Sequence, residues 1–461
     1  MEDTIEVWAT KEFSHARLGN ISRTSRLVAM ASQVALHSTG RITGTFSKAG
    51  GHQEAAFRFI ENDTFSYQAM GDSMRRATAL RAAQHKEVVV AVDGVAFTVA
   101  HRSGGFGPVS EKGGPRGAHA MSALLMTSAG VPLGISGQVF WTRSDAYSPA
   151  FRHDKRPLAE RESAHWLTAI GQTCAVLQAH APATMPWFQL DRGGDCAAVL
   201  LDIQRRGVHV TARACYDRCI TGGKLWSNVA AARCLGTYRL AVPARDGKRA
   251  RTATIMVRAR HVELTLRPNP NDLGAMKCCK MWVVEARERS GGTDGILWRL
   301  LTTKPAATFE QACNVIAMYT RRWRIEELHK AWKSGACNVE DSWIRQREHF
   351  YKWATILCAV AVRIERIKLL SRTEPFRDAR DEFTRDEIDA VILLCKPKGV
   401  ARGATPTLGQ LTQWIADIGG YTGKSSGGPP GTKILSRAME RVNVAAEIIA
   451  SLRNDQDKHG Q

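Results

Sequence analysis

Apolar positions along the chain change their period three times. Up to about residue 70 they recur at helical spacing. After Ser22 the stretch RTSRLVAMASQVALHS places Leu27, Met30, Ala31 and Val34 on one side, and HQEAAFRFIEN (52–62) does so with Ala56, Phe59 and Ile60. From 87 the period shortens to that of strands. EVVVAVDGVAFTVAH (87–101) reads as a strand, a tight Asp93-Gly94 turn and a returning strand. HAMSALLMTS and GVPLGISGQVFW form a hairpin through Ala129-Gly130, and a helix is expected over 158–179. WFQL is a short strand ending at Asp191, followed by a helix in DCAAVLLDIQRR. Residues 207–300 alternate again (VHVTARA, YRLAVPA, ATIMVRAR, VELTLRP, KMWVVEAR, WRLLTT), separated by RDGKRAR, PNPND and SGGTDG. Beyond Lys304-Pro305 helices return at 308–320, 319–333 and 347–372. A charged break near 373 precedes EIDAVILLC, LGQLTQWIADIGG and ILSRAMERVNVAAEIIASLR, and the tail from Ser451 is expected to fray.

These periods divide the chain into a helical segment, 1–70; a mixed α/β (α+β) segment, 71–372, with a β-rich insertion at about 205–300; and a helical segment, 373–461. Apolar residues make up 44% of 461, so a large core forms and global disorder is excluded. Lys plus Arg number 64 against 44 Asp plus Glu, a net charge of +20 that favours a polyanionic partner, above all nucleic acid. No apolar run reaches the roughly 20 residues of a membrane-spanning helix. MEDTIEVWATKEF is no secretory signal, so a cytoplasmic location is expected. The 11 cysteines lack the paired spacing of a zinc site and read as reduced thiols.

The candidate chemistry centres on YTRRWRIEELHKAWK, 319–333. On a helix Tyr319, Arg322, Glu326, Lys330 and Lys333 fall within roughly 80° of one another, with Ile325, Leu328 and Trp332 behind them. One carboxylate among cations and a hydroxyl suits a metal beside a phosphate, although a solvated face with a Glu326–Lys330 pair has the same pattern. Asp93 and Asp191 supply acids on strands, where a turn residue and a helix cap are the plainer readings. Three acids converging from two strands and a helix can hold two divalent ions. Arg23 and Arg26 open a helix, as suits DNA backbone contact or simply a solvated bundle surface.

The signature helix resembles that of the bacterial cut-and-paste DDE transposases of the insertion-sequence-four superfamily, in particular its transposon-five branch. The shared pattern is Tyr319, two residues, Arg322, three, Glu326, six, Lys333. LGNISRTSRLV and EAAFRFIEN resemble the family's N-terminal DNA-binding region; the Asp93 strand and LDRGGD (190–195) resemble its first two catalytic segments. RESAHW (161–166) and ILWRLLTT (296–303) resemble connecting motifs. The resemblance implies a ribonuclease-H-like core flanked by helical DNA-binding and dimerisation domains. Asp93, Asp191 and Glu326 would be catalytic and bind two Mg²⁺ or Mn²⁺ ions. Tyr319, Arg322, Lys330 and Lys333 would hold phosphates of the transposon end, and Trp298 would stack a flipped base. Arg213 lies where the insertion of relatives reaches DNA. The activity implied is cleavage of double-stranded DNA at inverted ends through a hairpin, then joining of 3′ ends to target DNA by a homodimer in the nucleoid. A catalytically silent DNA-binding or repressor descendant and a nuclease without strand transfer are the alternatives. The sequence departs from the family at Gly94, where relatives carry a hydroxyl residue, and at Gly193-Gly194.

Overall fold

The computed structural model describes residues 5–459 except 47, 101–103, 111–113, 145–160, 243, 245–248, 268–275, 291, 293, 294, 402 and 424–428. The expected PNPND turn and the first three residues of the 158–179 helix lie outside the described residues. Chain order begins with α1 (Ile5–Phe13), α2 (Ile21–Leu36), α3 (Ile42–Thr45), α4 (His52–Ile60) and α5 (Tyr67–Ala82). Asn20 caps α2 by accepting the Arg23 N–H (2.9 Å). The boundary expected at 70 falls inside α5.

Strands β1 (Glu87–Thr98), β2 (Gly107–Pro108), β3 (Arg116–Met126) and β4 (Pro132–Trp141) follow, then α6 (Ser163–His180) and β5 (Met185–Leu190). The hairpin expected at Asp93-Gly94 does not form. Residues 87–98 are one strand, in which Asp93 pairs with Ser122 and Gly94 with Met121. β5 pairs parallel with β1 as far as Val92, and the antiparallel pairing with β3 continues through Asp93 and Gly94 to Thr98, overriding the turn preference of the Asp-Gly pair. Val88, Val90 and Val92 face one core with α6, while Val89 and Ala91 face the other with α10 (Trp323–Lys333) and α11 (Arg347–Thr373). A strand buried on both faces reads as a continuous β-branched run, as this one does.

The chain continues through α7 (Ala197–Arg206), β6 (His209–Arg213), β7 (Cys219–Ile220), β8 (Gly223–Lys224), α8 (Leu225–Ala230), β9 (Cys234–Val242), β10 (Arg251–Leu266), β11 (Lys277–Glu288) and β12 (Leu297–Thr302). ATIMVRAR and VELTLRP, expected as two strands, are one 16-residue strand, β10. The β-rich stretch is no separate sheet. β6 adds parallel to β5, β12 adds antiparallel to β6, and the order β3-β1-β5-β6-β12-β11-β10 is continuous. After α9 (Phe309–Thr320), α10 and α11 come α12 (Arg385–Cys395), α13 (Leu408–Ile418) and α14 (Thr432–His459), so the segment expected to fray is helical to His459. No described helix is long and apolar enough to cross a membrane.

Helix α6 approaches the sheet at Gly137 of β4, where a methyl group would overlap the Ala169 carbonyl of the helix. Replacing Gly137 by Ala is therefore expected to destabilise the protein by roughly 1–3 kcal/mol, read as a lower midpoint in denaturant unfolding. Gly207→Ala is the control for the strain of a left-handed position (φ 67°), since nothing lies within 4 Å of an added methyl there.

Candidate active site

The parallel register Val92↔Leu190 sets the next residues, Asp93 and Asp191, side by side near the centre of the sheet. Asp191 ends β5 and caps the short turn 192–194, accepting the Gly193 N–H (2.7 Å) and, more weakly, that of Gly194 (3.4 Å). A side chain at Gly194 would crowd Leu190 and Trp166, so the glycines that depart from the family pattern fit the tight packing of this turn. Asp195, the other acid of LDRGGD, is turned away: it is buried against Arg218 (2.7 Å) and the Cys215 N–H (2.7 Å). Asp93 accepts the N–H of Gly94 (2.8 Å). A methyl on Gly94 would meet only ordinary contacts at Met121, so that departure leaves the strand undistorted.

The signature stretch is two helices rather than one. α9 ends at Thr320 and α10 starts at Trp323, the junction being closed by short-range bonds such as Arg324 N–H to Arg321 O (2.9 Å). Tyr319 thus belongs to the last turn of α9, while Glu326 sits in the first turn of α10, where the helix dipole favours an acid. Ile325, Leu328 and Trp332 are buried behind, as the helical spacing predicts.

Arg322, at the junction, draws the acids together. One terminal nitrogen donates to Asp93 Oδ2 (3.0 Å), the other to Glu326 Oε1. The Glu326–Lys330 pair of the solvated-face reading is not formed, and Lys330 is exposed. Lys333 donates to the Ala96 carbonyl (2.8 Å) and lies 3.4 Å from Glu340. Burial, and next the charge of Asp191, push the Asp93 carboxyl up to about 6, against the opposing pull of Arg322. Glu326 adds to the same push. Tyr319 is buried, with its hydroxyl pushed up by that burial, and packs edge-on to Trp298 (5.4 Å between centroids). Arg213 from β6 lies over the Trp298 ring (5.8 Å), and its guanidinium feels Tyr319, Arg192, Arg322 and Asp191. Asp93, Asp191, Glu326, Tyr319, Arg322, Trp298 and Arg213 therefore share one neighbourhood. Arg23 and Arg26 do not; they lie on α2, which packs on α1 and α11. Two neighbours escaped sequence reasoning. His329, buried and pushed down to about 3 by desolvation, reads in sequence as one more polar helix residue; Glu340 is recognisable only from its contact to the Thr98 N–H (2.5 Å).

Three carboxylates with oxygen-only donors match in kind the set that binds Mg²⁺ or Mn²⁺. In the arrangement seen, the Arg322 guanidinium stands between Asp93 and Glu326, and among the described residues no three His, Cys, Asp or Glu groups close on a single ion.

Residues 5–65 match the transposase DNA-binding family, and residues 202–363 match the transposase DDE domain. These matches support a DDE transposase family. The DDE match covers Glu326 and Arg322 and begins after Asp93 and Asp191. A DDE domain implies a ribonuclease-H-like core, and strands β1, β3 and β4, then α6 and β5, are the opening expected of it. The DNA-binding match supports DNA as a partner of this chain.

Because the raised Asp93 carboxyl is charged at neutral pH only at a cost, it lowers stability there. The unfolded chain releases this proton near its ordinary pKa of 3.8 and the folded chain only near 6, so the group's contribution falls as pH rises between the two. Asp93→Asn is expected to raise stability at pH 7 by roughly 1–3 kcal/mol and to flatten the dependence between pH 4 and 6, measured by denaturant unfolding across that range.

Proposed function

We propose that this chain is a cut-and-paste DNA transposase of the insertion-sequence-four superfamily, akin to the transposon-five branch. The observation that carries the reading is the meeting of Asp93, Asp191 and Glu326 around Arg322, in a chain that matches the transposase DNA-binding family over 5–65 and the transposase DDE domain over 202–363. In this reading Asp93, Asp191 and Glu326 hold two divalent ions, Mg²⁺ or Mn²⁺. When bound, such a pair supplies a polarised water and neutralises the leaving oxygen of a phosphodiester. Arg322, displaced from the carboxylates, turns to a phosphate, for which its forked donors suit it. Lys330 and Lys333 extend the cationic run along α10, and Tyr319 backs Trp298, whose ring with Arg213 receives a base drawn from the stack. Arg23 and Arg26 on α2 meet the DNA backbone within the helical DNA-binding domain, 1–70.

The nick frees a 3′-hydroxyl; that oxygen attacks the opposite strand to give a hairpin, water reopens it, and the 3′ ends join target DNA. Two ends require two active sites, so we also propose a homodimer in the DNA complex. Its support is an exposed apolar stripe on α14, Val444, Ile448 and Leu452, four residues apart and thus on one face. A cytoplasmic, nucleoid-associated location accompanies this role.

The test uses inverted repeats flanking the coding region as substrate with Mn²⁺. Wild type should yield hairpins and joined products, while Asp191→Ala and Glu326→Ala bind the ends but cut at least a thousandfold more slowly, in line with the weight of such groups in phosphoryl chemistry. Normal binding without cutting by wild type would leave a silent DNA-binding descendant, and cutting without joining a nuclease. Ile448→Glu on α14 should leave end binding by one chain intact and abolish the paired-end complex in native gels; an unchanged paired complex rejects the stripe as the interface.

A further inference from the structure

The loop after α10 carries a side chain that the carboxylate site does not use. Trp343 has φ 59° and Asn338 φ 41°, and for a bulky residue the left-handed region costs about 1–3 kcal/mol. Core packing does not account for that cost, because Trp343 is 60% exposed. The ring is instead held outward. Its Nε1 donates to Asp341 Oδ1 (3.1 Å), and the same carboxylate takes two bonds from Arg41 (2.7 and 2.9 Å), whose guanidinium lies over the ring at 4.9 Å. The segment before Arg41 is keyed into the same loop. The Gly40 carbonyl accepts Trp353 Nε1 (2.6 Å), and any side chain on Gly40 would overlap the Asn338 carbonyl.

Trp343 and Arg41 stand at a groove of about 670 Å³ with Ile42, Phe57 and Ile344 among its apolar walls and exposed Arg345 on its rim. That volume is in the range of small-ligand sites. One wall comes from residues matched to the transposase DNA-binding family, the other from residues matched to the DDE domain.

We propose that this groove binds a nucleotide unit of duplex DNA, packed against the Trp343 ring with its phosphate toward Arg345. The inference rests on the DNA-binding part of the reading above. A strained, solvent-facing indole beside arginines suits packing against the deoxyribose face of the backbone, a contact that tolerates any sequence because every nucleotide of a duplex presents the same sugar and phosphate. The loop is fastened to β1 at Thr98, whose N–H meets Glu340 (2.5 Å), five residues beyond Asp93.

The probe is a set of duplexes recovered from a random-sequence pool by the full-length protein, with affinity read by fluorescence anisotropy where all variants are folded by circular dichroism. Trp343→Gly should melt no lower than wild type, since glycine adopts the φ freely, yet bind about tenfold more weakly. Trp343→Phe should retain most of the affinity. Wild-type affinity in Trp343→Gly, or equal losses in the Gly and Phe variants, overturns the proposal. Cutting of the same duplexes by wild type with Mn²⁺ is scored separately, so a failed cleavage reading leaves the binding result standing.

Discussion

Like charges forced together at the middle of a sheet are the constraint on which the rest of this structure depends. The parallel pairing of β1 with β5 leaves Asp93 and Asp191 no room to separate, and α10 brings Glu326 to the same place. β1 is buried on both faces, so a shift in its register would turn one apolar set out of its core. The repulsion must therefore be met locally. A single guanidinium, Arg322, divides its donors between Asp93 and Glu326, while burial, and next the charge of Asp191, make Asp93 hold its proton more tightly. A fold that keeps such a cluster gives up stability for it at neutral pH.

The added strands are part of the same constraint. Because β6 pairs with β5 and β12 with β6, Arg213 and Trp298 arrive next to Asp191 through backbone ladders instead of a mobile arm. Tyr319 completes the contact from α9 and fixes the Trp298 edge. The break between α9 and α10 belongs here as well: it lets Tyr319 face the added strands while Glu326 faces the acids.

Much of this was legible in the chain. The buried run Val88–Val90 with Val92 marks β1, and the helical spacing of Ile325, Leu328 and Trp332 marks the buried side of α10. The illegible parts were decided by tertiary pairing. Asp93-Gly94 has the local form of a turn, yet antiparallel pairing with β3, which runs on past them to Thr98, keeps it extended. Nothing in ATIMVRARHVELTL marks that β10 is continuous, since its unbroken pairing with β11 from Ile255 to Leu266 supplies the reason. An ideal helix would carry the stripe unbroken from Tyr319 to Lys333, whereas the 321–322 junction leaves Tyr319 in the last turn of α9, still beside Arg322. An indole in a loop, such as Trp343, has no periodicity to read, and its backbone angle is visible only in three dimensions.

One helix carries the arrangement across the molecule. α11 receives Trp332 of α10 through the Ala354 carbonyl (3.0 Å), and its buried Lys352 donates to the carbonyls of Ile60 (3.1 Å) and Asn62 (2.7 Å) beyond α4. Farther along, Glu365 and Lys368 meet Thr432 at the start of α14 (2.6 and 3.0 Å). A buried ammonium that loses its partners costs several kcal/mol. Moving α4 away from α11 would strip Lys352 of both carbonyls, so the segment matched to DNA binding cannot drift from α11 cheaply. Since α10 is bonded to that same helix, the position of Glu326 is tied, through two hydrogen-bonded steps, to the helices that precede the sheet.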